Sequence, residues 1–180
     1  MLTLGTNAKD LYNLKEATGR IEYKRAKTKD IREDEAFISI KIEPELLPYL
    51  ERNKGKDRVF NFSEIHGKHE RLIKAIFRGM KEIRKVTGID SLVYYDARRT
   101  VASVMRNKLG ISKDDVAMCL NHVDVDHRVT DICIETDFSV LDKCNRAFLD
   151  WLFKKSFLIL LVQKKCTRRF ANYTRVFSIF

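Results

Sequence analysis

Gly19-Arg20-Ile21-Glu22-Tyr23-Lys24-Arg25 and Phe37-Ile38-Ser39-Ile40-Lys41-Ile42 decide the fold class, because both runs alternate with a period of two. Ile21, Tyr23 and Arg25 share one face of the first run, and Ile38, Ile40 and Ile42 repeat the pattern in the second. Successive side chains leave opposite faces of an extended backbone, so this alternation suits a half-buried strand. The charged stretch Lys27 to Glu35 lies between the runs. Together they predict a β-hairpin with a long charged tip.

Outward from the hairpin the apolar period lengthens to that of helices. Leu11 and Leu14 mark a short amphipathic segment over Lys9 to Leu14, with Gly19 closing the loop behind it. Pro44 sits where a helix begins, with Leu46, Leu47 and Leu50 as its apolar side. Ser63 is placed to cap one long helix carrying Ile65, Leu72, Ile73, Ile76, Phe77, Met80 and Ile83 on a core-facing stripe, ended by Gly88. A further helix is expected from Tyr95 to Leu109, burying Val101, Val104, Met105 and Leu109 ahead of Gly110. Ser112 and Asp115 form a capping box for the next, which stops near Asn121. Ser139 and Asp142 cap a last helix with Val140, Leu141, Phe148, Leu149 and Trp151. The expected fold is mainly α with a small β-hairpin, α+β in class.

The chain has 180 residues, enough for one sizeable domain or two small ones. With only 7 Gly and 2 Pro it is neither collagen-like nor wholly disordered. Its formal charge is +10, which points to a polyanionic partner. Seven of those charges belong to residues 154–180, which hold no acid, so residues 1–153 are only +3. The expected organisation is a domain over 1–153 and a basic C-terminal tail over 154–180, whose apolar run Phe157 to Val162 follows neither period. That tail reads either as a segment docked on a partner or, by preference, as sequence without selected structure. Six apolar residues fall far short of the ~20 that span a bilayer, so no membrane association is expected. Cys119, Cys133, Cys144 and Cys166 form no CxxC pair, and the start shows no secretory signal, which suits a cytoplasmic chain with reduced thiols.

Three stretches carry the chemistry: Tyr94-Tyr95-Asp96-Ala97-Arg98-Arg99-Thr100-Val101-Ala102-Ser103, then Leu120-Asn121-His122, then Val129-Thr130-Asp131-Ile132-Cys133-Ile134. In order and spacing they resemble the C-terminal half of tyrosine site-specific recombinases of the phage-integrase type. The likeness is to the branch on mobile elements of Bacteroidetes-type bacteria, with its His/Tyr-x-x-Arg-His-Thr, Leu-Gly-His and Thr-Asp-x-Tyr motifs. Tyr23-Lys24-Arg25-Ala26-Lys27-Thr28 and Asn145-Arg146-Ala147-Phe148-Leu149-Asp150 also look like that branch, so the resemblance spans residues 4–153.

The resemblance implies a recombinase-like catalytic domain, truncated in front, that cleaves and rejoins DNA through a 3′-phosphoprotein intermediate. It implies no metal and no cofactor, with double-stranded DNA and other recombinase protomers as partners. Arg98 matches the second family arginine, Lys27 the general acid, and His122 the residue that hydrogen-bonds the scissile phosphate. Tyr95 stands where many members have histidine. Arg98, Arg99, Lys27 and Arg25 are the expected DNA-binding cations. Arginine suits a phosphate because its planar fork binds two oxygens and stays charged. Two departures impair the expected activity. Asn7 occupies the place of the first arginine, with Lys9 and Arg25 as nearby substitutes, and Cys133 occupies that of the nucleophilic tyrosine.

Taken singly, these residues have plainer roles. Arg98-Arg99 would be a solvated face, His122 a helix-end histidine, Lys27 a solubilising loop cation and Cys133 a small buried apolar group. His66 and His69 read as exposed on the long helix rather than as metal ligands, and Asp124, Asp126 and His127 as a turn. The alternative function is a DNA-binding remnant that does not cut; a helical interaction domain unconnected with DNA comes last.

Overall fold

A computed structural model describes residues 2–30, 34–122 and 136–164, with side chains described through Lys154. Strands β1 (Arg20–Lys24) and β2 (Phe37–Lys41) pair antiparallel, with Ile21 opposite Ile40 and Tyr23 opposite Ile38. The period-two pattern thus becomes a real register. Ile38, Ser39 and Ile40 are all buried, so β2 is covered on both faces. Ser39 is tolerated inside because its hydroxyl donates to Glu22 (2.8 Å) and accepts from Arg20 Nε (2.6 Å).

Helix α1 (Ala8–Asn13) precedes the hairpin, and a 3-10 turn (Pro44–Leu46) leads into α2 (Leu47–Arg52) after it. Then come α3 (Phe62–His66), α4 (His69–Thr87), α5 (Asp96–Asn107), α6 (Lys113–Cys119) and α7 (Phe138–Lys164). The chain is α+β: among the described residues, a set of helices and one small two-stranded sheet.

The main core lies where α5, α6 and α7 meet β2. Val101, Met105, Leu141, Phe148 and Leu149 are shut off from solvent there, joined by Leu4 from the N-terminal turn. Each such side chain contributes about 1.5–3 kcal/mol through burial. A smaller cluster of Leu14, Ile21, Leu46 and Phe60 seals the other side of the hairpin. The Ser112 capping box forms as expected: its Oγ accepts from the Asp115 amide at 3.0 Å.

Several expectations need correction. The long helix expected after Ser63 is two helices, and Ser63 lies inside the first, which starts at Phe62, rather than capping it. Gly67, at φ +68, ends α3, and extended Lys68 restarts the chain as α4. Nor does its stripe face the core throughout: Leu72 and Met80 are buried, but Ile65 is 64% and Phe77 61% exposed. Leu47 likewise faces solvent, leaving Leu46 as the buried anchor of its segment. At the start of α7 the cap is Asp137, which accepts from the Ser139 amide at 2.8 Å. Asp142 instead pairs with Arg20 (2.8 Å) and accepts from the Lys41 amide (2.9 Å), fastening α7 to the hairpin. Neither His66 nor His69 is an exposed surface group: both are half-buried, and the His69 ring meets Tyr12 edge-on with centroids 5.7 Å apart. Finally, α7 continues without a break past Lys154 to Lys164, so the first part of the basic tail is helical. No helix among the described residues is long and apolar enough to cross a membrane.

Candidate nucleic-acid interface

Arg98 lies in the first turn of α5 and is only 7% exposed. Its guanidinium spans two backbone segments, donating from Nη1 to the Gly5 carbonyl (3.1 Å) and from Nη2 to the Leu120 carbonyl. Gly5 has φ +70, and a Cβ there would stand 3.0 Å from the Arg98 Cα. Only glycine lets the N-terminal turn approach α5 so closely.

The hairpin supplies the second cation. Arg25 follows β1 directly and donates from Nη1 to the Asn121 carbonyl at 2.8 Å. Asp10 of α1, itself buried, accepts from the Ala26 amide at 2.9 Å and holds the loop that carries Lys27. His122 emerges at the end of α6, its amide donating to the Ala117 carbonyl at 2.9 Å. Partial burial, then the charges of Arg98, Arg25 and Lys27, hold its imidazole below the usual histidine range. The four groups therefore share one electrostatic neighbourhood. Among the described residues, no carboxylate pairs with Arg98 or Arg25, and the Nε of each is buried without a partner. Buried positive charge without a counter-ion is costly, and an incoming anion relieves that cost.

Tyr23 lines the same region. Burial lifts its phenol to about 12, with its hydroxyl 3.4 Å from Thr6 Oγ1, so it stays neutral at physiological pH. Tyr95 is half-exposed, and its ring lies 5.4 Å from the Arg99 guanidinium. Arg99 is itself exposed and ion-paired with Asp96 (3.3 Å). It is not among the charges that depress His122. Asn7, Lys9, Tyr95 and Arg98 line a neighbouring cleft of about 320 Å³. Of Arg25 and Lys9, Arg25 is the one beside His122, while Lys9 sits on the cleft.

The structure thus brings together Arg98, Arg25 and His122, with the charge of Lys27 reaching His122, keeps Tyr95 against the Arg98 side chain and leaves Arg99 on the outer surface. Cys133, like Asp124, Asp126 and His127, lies outside the described residues. Among those described, no group of three His, Cys, Asp or Glu could hold a metal ion. Reading the sequence missed two residues, Asp10 and Asn121. Asn121 had a visible signal, since the helix was expected to stop near it, and its φ is +50. No family model, curated protein or solved structure matches this chain. The site's own chemistry therefore has to carry the functional reading.

Proposed function

We propose that this chain is a duplex-DNA-binding module with a phosphate site of the tyrosine-recombinase type, impaired in strand cleavage. The observation that carries the reading is the pair of guanidinium groups of Arg98 and Arg25, each with a buried Nε and, among the described residues, no carboxylate ion-paired to it, beside His122 and Lys27. A DNA phosphate supplies the missing negative charge. Lys27 and His122, both exposed, are the groups that meet it first. Arg98, with its outer nitrogens bound to two carbonyls, acts from behind as a fixed positive charge. This is backbone recognition, so affinity falls steeply with salt and depends little on base sequence.

Cleavage would need a nucleophile aligned on the phosphorus. Cysteine at position 133 reaches several ångströms less far than tyrosine, and Asn7 offers an amide where the family has a guanidinium. The second reading, an active DNA-breaking and rejoining recombinase, is weakened by both substitutions.

The test is a salt series of fluorescence-anisotropy titrations of the full chain with a short duplex. Replacing both Arg25 and Lys27 with Ala is expected to reduce the slope of log affinity against log salt by about 2, as two lost phosphate contacts require. An unchanged slope would mean that the basic tail alone binds DNA, and the reading fails. On a nicked suicide substrate we expect no covalent adduct. A thiol-sensitive adduct formed by wild type and lost in Cys133→Ala would establish the second reading instead.

A further inference from the structure

We infer that Asn121 is a positioning residue that clasps the hairpin loop to the end of α6, so that Arg25 and His122 bind an anion as one unit. The inference rests on the DNA-binding reading and adds to it the residue that assembles the site. Asn121 is buried and holds a left-handed backbone conformation, φ +50, that asparagine tolerates better than most residues. In this conformation its carbonyl accepts from Arg25 Nη1 at 2.8 Å. Its side-chain Nδ2 meanwhile donates to the Ala36 carbonyl at 2.9 Å, across 85 residues of sequence. The same Ala36 carbonyl accepts from the Arg25 amide at 3.1 Å. Arg25 is therefore gripped twice, at its backbone through Ala36 and at its guanidinium through Asn121. The very next residue is His122.

A bond that merely tied the hairpin down could fall anywhere along the loop. This one closes a ring through the residue that orients the Arg25 guanidinium and sets the departure angle of His122. Loss of Nδ2 frees the hairpin side of the ring and leaves the α6 side intact. The Arg25 guanidinium keeps its bond to the Asn121 carbonyl, but the hairpin that carries it is no longer fixed to α6 through Ala36, and its contribution to phosphate binding falls toward that of an alanine.

The experiment compares Asn121→Gly with Arg25→Ala and the double variant in the full chain, reading duplex affinity and its salt slope. Glycine keeps the left-handed backbone and the carbonyl direction while deleting the amide donor. Each single variant is expected to weaken binding roughly three- to tenfold, the range of one net hydrogen bond, and to lower the slope by about one. The double variant should be no weaker than Arg25→Ala alone. Additive losses would overturn the clasp while leaving DNA binding intact. Should Arg25→Ala leave binding unaltered, the DNA reading fails, and the clasp is decided separately by amide exchange. Asn121→Gly is expected to speed exchange at the Arg25 amide about tenfold or more. Unchanged protection there would overturn the inference.

Discussion

Helices α4 and α5 look alike as sequence and behave differently as structure. Both carry apolar residues at helical spacing. In α5 the stripe is consumed: Val101 and Met105 have no exposed surface, because α6 and α7 pack over them. In α4 only Leu72 and Met80 are buried, and Phe77 stays largely in solvent, since α1 and α3 are its main neighbours among the described elements. An amphipathic period establishes that a helix forms and which side is greasy. Whether the chain supplies something to cover that side is a tertiary fact, invisible to the period.

The sharpest way to break this comparison is a pair of truncations. Phe148→Ala, in the α7 core, is expected to cost about 3–5 kcal/mol in urea unfolding. Phe77→Ala, the same chemistry on α4, is expected to stay within about 0.5 kcal/mol. Equal losses would mean that α4 anchors the core no less firmly than the α5–α7 packing does.

A smaller effect should appear where α7 meets the segment after the hairpin. Arg146 binds Glu43 (3.0 Å), Glu45 (2.7 Å) and Asp150 (2.7 Å), and the Glu43 side chain is only 6% exposed. Arg146→Met strands that carboxylate. Because Arg146 is itself a third exposed, water screens part of the loss, and about 1–2 kcal/mol is expected at neutral pH. The hydrogen bond from Arg146 holds Glu45 below the usual carboxylate range. A depressed acid stabilises the fold above its unfolded value and loses that contribution as it protonates. The gap between wild type and variant should therefore narrow below about pH 4, as pH-dependent urea melts would show.

The smallest effect belongs to His122. Its imidazole titrates below the ordinary value in the free protein, so acidification charges it against Arg98, Arg25 and Lys27 and lowers stability. A bound phosphate reverses that balance by stabilising the charged form. Duplex affinity at constant salt should rise roughly threefold from about pH 7.5 to about pH 5.5. The rise should vanish in His122→Gln; its persistence there would assign the titration to another group.

Local chemistry was the part of the fold most open to reading. The two strands followed from Ile21, Ile38 and Ile40, and the start of α6 from Ser112 and Asp115, because strand alternation and capping act over a few residues; the register itself did not. Gly67 was harder. A glycine inside an apolar stripe is compatible with a continuous helix, and a long-range bond from the Tyr12 hydroxyl to the Gly67 carbonyl (2.8 Å), 55 residues away, accompanies the break. Asp142 misled for a similar reason, since a residue spaced for a capping box was claimed by Arg20 from the hairpin. At the candidate site, Arg98 and His122 could be picked out by motif. The dual role of Asn121 could not, because its partners, Arg25 and Ala36, come from the hairpin.

The contact between the N-terminal turn and α7 also bears on how the chain is made. Asn145 Nδ2 lies 3.5 Å from the Leu2 carbonyl, a separation of 143 residues, and Leu4 shares a core cluster with Leu141 and Phe148. During synthesis the first turn leaves the ribosome long before the helix that buries it. At about 5–20 residues per second the interval is roughly 7–30 s. Local helices and the hairpin form in microseconds, so emergence of the chain and not local folding sets the delay. The contacts of Leu4 with Leu141 and Phe148 can form only once α7 has emerged, and a chain arrested before that is expected to keep Leu4, Val101 and Met105 partly uncovered.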